Sequence, residues 1–304
     1  MLKLIISFLF SFVNIISSDY NQNIEFIQDH NLKNLSYNVG ENQFINRTYI
    51  DGKYNYMVPY IPNRHYPMIS IYSDNNHKNK VDWRNKHVVS SVKNQGMCGS
   101  CWAFSATEAV ESEWAIKHHH LYNLSEQELV DCSGYLGNGG CDGGLMKNGF
   151  QYIMDNGICS NKSYPYTASD DQCLNTTCKH IVHITNYSGI IANSETQLEK
   201  AVQIQPVSVA IQANLQTFQL YKSGIYNDTN CSDELDHGVL LVGYGYDKKY
   251  KMKYWIIKNS WGESWGEQGY MRMIKDIDDP SGICGIAVDP SIPIINHSLS
   301  WVEI

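Results

Sequence analysis

The sequence predicts an α+β fold in which a helical half precedes a half of antiparallel strands. Between Cys101 and about Gly157, apolar residues recur at helical spacing. From Val207 onward, short runs rich in Val, Ile and Tyr are separated by turn residues. The cysteines give a third observation: there are nine, and all lie beyond residue 97. In an oxidising compartment an odd count means four disulfides with one free thiol, or an intermolecular bond.

The helical half opens at Cys101, where Trp102, Ala103, Phe104, Ala106, Ala109, Val110 and Trp114 mark one long helix. His118, His119 and His120 fall at its expected C-terminus, where polar side chains are common. Consecutive histidines point in different directions around a helix, so they read as surface decoration rather than a metal site. Ser125 with Glu128 forms a capping box before Leu129 and Val130, with Glu128 expected to reach back. A third helix is expected from Gly144 through Phe150 to Met154, and Ser194 with Gln197 marks one more. Strands follow at 207–211, 238–243, 254–257 and 270–274.

Ahead of these elements, Lys3, an apolar stretch from Leu4 to Ile16, and Ser17-Ser18 read as a cleaved secretory leader, residues 1–18. The stretch is too short for a comfortable membrane span. Nine Asn-x-Ser/Thr sequons, at Asn34, Asn46, Asn123, Asn161, Asn175, Asn186, Asn227, Asn230 and Asn296, fit a secretory route. Residues 19–77 are polar, Asn-rich and free of cysteine, and the chain changes character at Val81-Asp82-Trp83-Arg84. A net charge of −8 argues against a nucleic-acid partner, because phosphate binding needs a basic face.

The chemistry concentrates in Gln95-Gly96-Met97-Cys98-Gly99-Ser100-Cys101-Trp102. A thiol at a helix N-terminus faces the positive end of the macrodipole and unpaired N–H groups, both of which favour the nucleophilic thiolate. A cysteine nucleophile needs a base and a group to orient that base. His237 lies 136 residues after Cys101, and Asn259, in Asn259-Ser260-Trp261-Gly262, lies 22 further on. With no second Cys/His pair at finger-like spacing, no metal is expected from Cys98 and Cys101.

These residues resemble the active-site segments of papain-like cysteine proteases of the cathepsin L type, across about residues 81–295. The resemblance implies a helical N-terminal lobe and an antiparallel β-barrel-like C-terminal lobe, with the active site in the cleft between them. It casts Cys101 as nucleophile, His237 as its imidazolium partner, Asn259 as the orienting group and Gln95 as an oxyanion donor. Trp261 would cover the His237–Asn259 bond. The histidine fits the family's spacing of about 130–150 residues after the cysteine, and the asparagine slightly exceeds it. Lys248, Lys249, Lys251 and Lys253 suggest a long hairpin loop as the cause.

The resemblance also proposes disulfides Cys98–Cys141, Cys132–Cys173 and Cys231–Cys284. Cys159 and Cys178 could then pair as a fourth bridge, which leaves Cys101 alone. Gly143 and Gly144 match a segment that pairs with an extended substrate, and Asp236 beside His237 joins the substrate-facing set. Leu145, Met146, Ala210 and Leu235 match the walls of an apolar S2 pocket favouring Leu or Phe at P2. Asp289 falls at its floor, where an acid can pair with a P2 Arg. Trp265 matches a wall on the leaving-group side.

In the prosegment, Asn23, Ile27 and Asn31 match the end of the family's helical motif. Gly40, Asn42 and Phe44 match a later motif, with Asn46 where Asp is usual. The Glu and Arg that open the helical motif would fall at Val13 and Ser17, inside the leader, so a shortened inhibitory prosegment is expected over 19–77. The peptidase domain is then 78–304.

No insertion resembles the occluding loop of the family's dipeptidases, which implies an endopeptidase. The implied partners are protein and peptide substrates, the chain's own prosegment and cystatin-like inhibitors. Neither a cofactor, nor a membrane span, nor a second subunit is implied, and the location is lysosomal or extracellular. The rival reading is a catalytically silent binding or inhibitory protein on the same scaffold. Another is a ligase that passes the acyl group to an amine.

Overall fold

Alternation along the central strands gives the molecule two cores, one on each face of the same sheet. The computed structural model describes residues 19–49, 67–71 and 78–295, together with the backbone of 302–303. The expected leader lies outside the described residues, as does most of 50–77.

A first helix, α1, spans residues 19–32. It is followed by β1 (Tyr37–Val39), β2 (Met68–Ser70) and β3 (Val81–Asp82). The helices α2 (Cys101–His118), α3 (Glu126–Cys132) and α4 (Met146–Asn156) come next. The remainder is β4 (Asn186–Ile190), α5 (Glu195–Ile204), β5 (Val207–Ile211), α6 (Gln216–Gln219), β6 (Tyr221–Tyr226), β7 (His237–Asp247), β8 (Met252–Lys258), β9 (Tyr270–Ile274), β10 (Ser291–Ile294) and β11 (Val302–Glu303).

The sheet runs β1-β6-β9-β8-β7-β5-β10-β4-β2-β11, with β3 paired to β7. It is an open path rather than the barrel-like closure expected, and β6–β9 and β2–β4 pair in parallel. Two strands from before residue 78 extend the path: β1 joins β6 at one end, and β2 joins β4 next to the other end, β11.

On β7, Val239 and Leu241 face one core while Leu240 and Val242 face the other. Val209 and Ala210 on β5, and Ile257 and Ile256 on β8, divide the same way. The first core collects the strand-rich half with Trp255, Phe218 and Trp265; the second collects α2, α3 and α4 around Trp102, Leu129 and Phe150. Fully burying one such large side chain contributes about 1.5–3 kcal/mol, so each core is held by many such increments.

The long helix α2 is buried almost all round rather than along one stripe, as a helix between a sheet and two other helices must be. Its C-cap is His119 in the left-handed region, and His118, His119 and His120 are all exposed. At α3, Ser125 accepts from the Glu128 N–H as predicted, at 3.0 Å. Glu128, however, does not reach back to Ser125. Its carboxylate accepts from Cys159 N and Tyr152 Oη at 2.7 and 3.0 Å, and His180 Nε2 lies 2.9 Å away. Gln197 is diverted in the same way, its Oε1 accepting from Ile71 N at 2.8 Å beside β2.

Four disulfides join Cys98–Cys141, Cys132–Cys173, Cys159–Cys178 and Cys231–Cys284. Cys101 is the one free cysteine among the described residues. With both sulfurs of Cys159–Cys178 bonded to each other, Glu128 and His180 beside them make no thiolate metal site. No helix among the described residues is long and apolar enough to cross a membrane.

Candidate active site

Cys101 is the first residue of α2 and keeps partial solvent exposure. The loop before it is pinned by the Cys98–Cys141 bridge and by Gly99 N, which donates to Cys141 O at 2.8 Å. A Cβ on Gly99 would lie 2.4 Å from that oxygen, so only glycine lets the two backbones meet. Behind the thiol, buried Trp102 donates from Nε1 to Gly140 O at 3.1 Å. This orients the loop that carries Gly143 and Gly144.

His237 opens β7 opposite Ile211 of β5. A Cβ on its neighbour Gly238 would lie 3.3 Å from Cys101 O and from Trp102 Cα, so the start of β7 passes against the start of α2, and both Cys101 and His237 line the cleft. His237 Nε2 is 2.8 Å from Asn259 Oδ1. Asn259 follows β8 directly, so the β7–β8 hairpin brings it beside the histidine. The spacing of 22 residues comes from the length of these two strands, 11 and 7 residues, rather than from a long loop. Trp261 lies over the imidazole with ring centroids 4.7 Å apart.

Gln95 is held at both ends. Its Oε1 accepts from Ser260 Oγ at 2.7 Å, and its Nε2 donates to Cys98 O at 2.9 Å. An amide nitrogen has two hydrogens, so one remains to meet a ligand. The cleft encloses about 710 Å³, and Gln95, Cys101, Gly143, Gly144, Met146, Asp236, His237 and Trp261 all line it.

The other expected substrate residues lie deeper. Leu145, Ala210 and Leu235 are buried, the last two in one core with Met146. Trp265, expected as a wall, is fully buried instead: it packs behind Trp261 at 5.2 Å and donates from Nε1 to Gln219 O. Asp236 Oδ1 accepts from Ala213 N at 2.7 Å. Asp289 is neither open nor turned to solvent, because Lys147 Nζ meets its Oδ1.

The electrostatics differ from the expected ion pair. Burial pushes the Cys101 thiol up to about 11, against the N–H bonds from Gly238, Trp102 and Cys101 itself. Burial also pushes His237 down to about 4, against its bond to Asn259. Desolvation favours the neutral form of each group, so in this covered cleft it outweighs the backbone dipoles.

The covering comes from the N-terminal segment. Phe44 sits edge-on against Trp261 at 4.7 Å, and Gln43 Nε2 donates to Trp261 O at 2.8 Å. Gln43, Phe44 and Arg47 line the cleft. Upstream, Asn31 mimics a strand partner, donating to Val39 O and accepting from Val39 N at 2.9 and 3.0 Å. Asn23 Nδ2 donates to Ile45 O and Arg47 O, and Asn42 Nδ2 to Gln219 O. The matched motif residues are thus the ones that fasten this segment down.

One feature of the site was not anticipated from the sequence. Lys258, next to Asn259, is fully buried and pairs with Glu108 of α2 at 2.8 Å. Ser90 bridges Lys258 to Glu111, and Lys93 pairs with Glu111 and Glu126 at 2.6 and 2.5 Å. This cluster ties the helix bearing Cys101 to the strand leading to Asn259. Its signal was Glu108 and Glu111, two acids three apart in a helix whose apolar residues recur on every face.

With that geometry in place, comparisons with known proteins extend it. The sequence profile described as "Papain family cysteine protease" matches residues 77–294. The chain is 44% identical over 284 residues to cysteine proteinase RD21A of Arabidopsis thaliana, covering 91% of this chain and 60% of that protein. It is 50% identical over 219 residues to a cathepsin L-like protein of Caenorhabditis elegans, covering 71% and 64%. The chain therefore spans about 60% of the length of the first of these relatives. Among solved structures, the proform of the ragweed cysteine protease Amb a 11 superposes with a TM-score of 0.83 at 36% identity, covering 92% of this chain and 88% of that one. The chain belongs to the papain family of cysteine proteases.

Proposed function

We propose that the chain is the precursor of a cysteine endopeptidase, with residues 1–18 as leader, 19–77 as inhibitory prosegment and 78–304 as peptidase domain. The observation that carries this reading is the 2.8 Å His237–Asn259 bond in a cleft also lined by the free cysteine at the start of α2. The Cys101 sulfur attacks a peptide carbonyl carbon, and the carbonyl electron pair moves onto oxygen. Cys101 N–H and the second Gln95 N–H hold that oxyanion. His237 carries the thiol proton to the departing amine, the C–N bond breaks and a thioester remains. Water, deprotonated by His237, then releases the acid and the free thiol. Asn259 keeps the imidazole in place through these steps, and Trp261 shields their hydrogen bond. The chemistry calls for no cofactor or metal.

An extended substrate strand pairs with Gly143 and Gly144, while Leu145, Met146, Ala210 and Leu235 wall an S2 pocket for Leu or Phe. The likeness to a solved proform and the contacts of Gln43, Phe44 and Arg47 support the prosegment as inhibitor. The secretory or lysosomal route rests on the leader, the sequons and the disulfides. A monomer acting on protein and peptide substrates, open to cystatin-like inhibitors, completes the reading.

The test is cleavage of Phe-Arg and Leu-Arg amides by processed protein, with and without an added amine. Hydrolysis that falls more than about a thousandfold in Cys101→Ala supports the proposal. Undiminished cleavage in the variant, or transfer to the amine as the main product, would overturn it. Well-folded processed protein that cleaves neither substrate would leave the silent-scaffold reading in its place.

A further inference from the structure

Lys147 and Asp289 are 142 residues apart and meet behind the expected S2 wall. Lys147 is the second residue of α4, directly after Met146, which lines the cleft. Asp289 follows Val288, which packs against the core holding Met146, Ala210 and Leu235. Their side chains are only 7% and 14% exposed. Asp289 Oδ2 is buried with no hydrogen-bond partner among the described residues. Burial drives each group toward its neutral form, Asp289 up to about 7 and Lys147 down to about 8. Contact between them opposes both shifts, since an opposite charge favours the charged form.

We infer that Lys147 is a specificity-determining residue of the S2 subsite: by pairing with Asp289 it neutralises the pocket floor, so that apolar P2 side chains are selected and P2 Arg is rejected. This rests on the proposed endopeptidase reading and reverses what Asp289 alone suggests. An acid alone at the floor would take a P2 guanidinium through a charge-assisted, bidentate contact. Here the carboxylate already holds a cation. A second cation beside it would leave a net positive charge in a poorly solvated pocket, and such like-charge juxtaposition is a means of rejection. A P2 Leu or Phe meets only the apolar walls and disturbs nothing.

The test compares kcat/KM for matched P2-Arg and P2-Leu peptide amides. It uses enzyme processed from the full precursor, because Met68 lies close to the Lys147 ammonium at Gly189 in the precursor. The same preference is read as Kd for both peptides on Cys101→Ala protein trimmed by an added protease, which requires no turnover. The wild type should prefer Leu over Arg by at least about tenfold, and Lys147→Met should shift the ratio toward Arg by about tenfold or more. Lys147→Arg, which keeps the cation and serves if the methionine variant fails to fold, should leave the ratio unchanged. Adding Asp289→Asn to Lys147→Met should abolish the gain for Arg. Wild-type acceptance of Arg equal to Leu overturns the inference, as does an unmoved ratio in Lys147→Met or a gain for Arg in Lys147→Arg. If turnover is absent but the Kd ratios behave as stated, the endopeptidase reading fails and the role of Lys147 stands.

Discussion

Two buried polar regions lie close together in this molecule and solve the same problem in opposite ways. At the seam between α2 and β8, Glu108, Glu111 and Glu126 are met by Lys258 and Lys93, with Ser90 and Thr107 filling remaining positions. At the cleft, Cys101 and His237 have only neutral hydrogen-bond partners, and burial drives both toward uncharged forms. At the seam opposite charges in contact oppose desolvation, although burial still pushes the Glu108 carboxyl up to about 7. In the cleft no opposite charge among the described residues touches either group, and desolvation leaves both favouring their neutral forms. On the proposed function, the seam serves stability and the cleft serves catalysis.

The largest expected effect comes from breaking the seam. Glu108→Ala leaves the Lys258 ammonium buried and unpaired, which should cost about 3–5 kcal/mol in urea unfolding. Replacing Glu108 and Lys258 together by leucine and methionine should recover most of that loss, because no lone charge remains. A double variant as unstable as the single one would break the comparison.

At the cleft the same kind of deletion should fall on rate instead. Asn259→Ala frees the His237 ring and should lower kcat/KM by up to about 100-fold, with the urea midpoint little changed. A large loss of stability without loss of rate would mean that this bond belongs with the seam.

His30 of α1 sharpens the contrast, since it too is buried without a contacting charge. It packs between Phe26 and Tyr37, its Nε2 has no hydrogen-bond partner among the described residues, and burial lowers its pKa below the ordinary 6.5. The Tyr37 carbonyl and Asp228 oppose the shift, and Lys33 adds to it. A docked pKa below the free value means the released segment binds more protons. Docking is thus strongest above pH 6.5 and weakens as pH falls through and below that value. Protection factors of residues 19–49, referred to the intrinsic exchange rate at each pH, should fall on acidification, and His30→Phe should flatten the change. The smallest effect is local: Ser125→Ala removes one α3 cap and should cost about 1 kcal/mol.

What was legible in the sequence was local or carried by motif. The period of Trp102, Phe104 and Ala106 announced α2, and the motifs around Cys101, His237 and Asn259 announced the family. Capping by Ser125 and Ser194 was legible because it acts within one turn. The far ends of those boxes were not, because Glu128 and Gln197 found partners brought in by tertiary structure. Lys147–Asp289 and Glu108–Lys258 join residues 142 and 150 apart, and no periodicity encodes such meetings. The burial of Trp265 and the open sheet were hidden for the same reason. Both depend on neighbours, Trp261 in one case and added strands β1 and β2 in the other.

The central claim is that Cys101 is a free thiol activated by His237 once the N-terminal segment has left the cleft. The direct measurement is labelling of precursor and processed protein with a thiol-alkylating epoxide across a pH series, followed by peptide mapping. Stoichiometric modification at Cys101 alone is predicted for the processed protein at neutral and mildly acidic pH, with the precursor reacting slowly until alkaline pH. Well-folded processed protein that stays unlabelled at Cys101, or that reacts no faster than the precursor, would contradict the account.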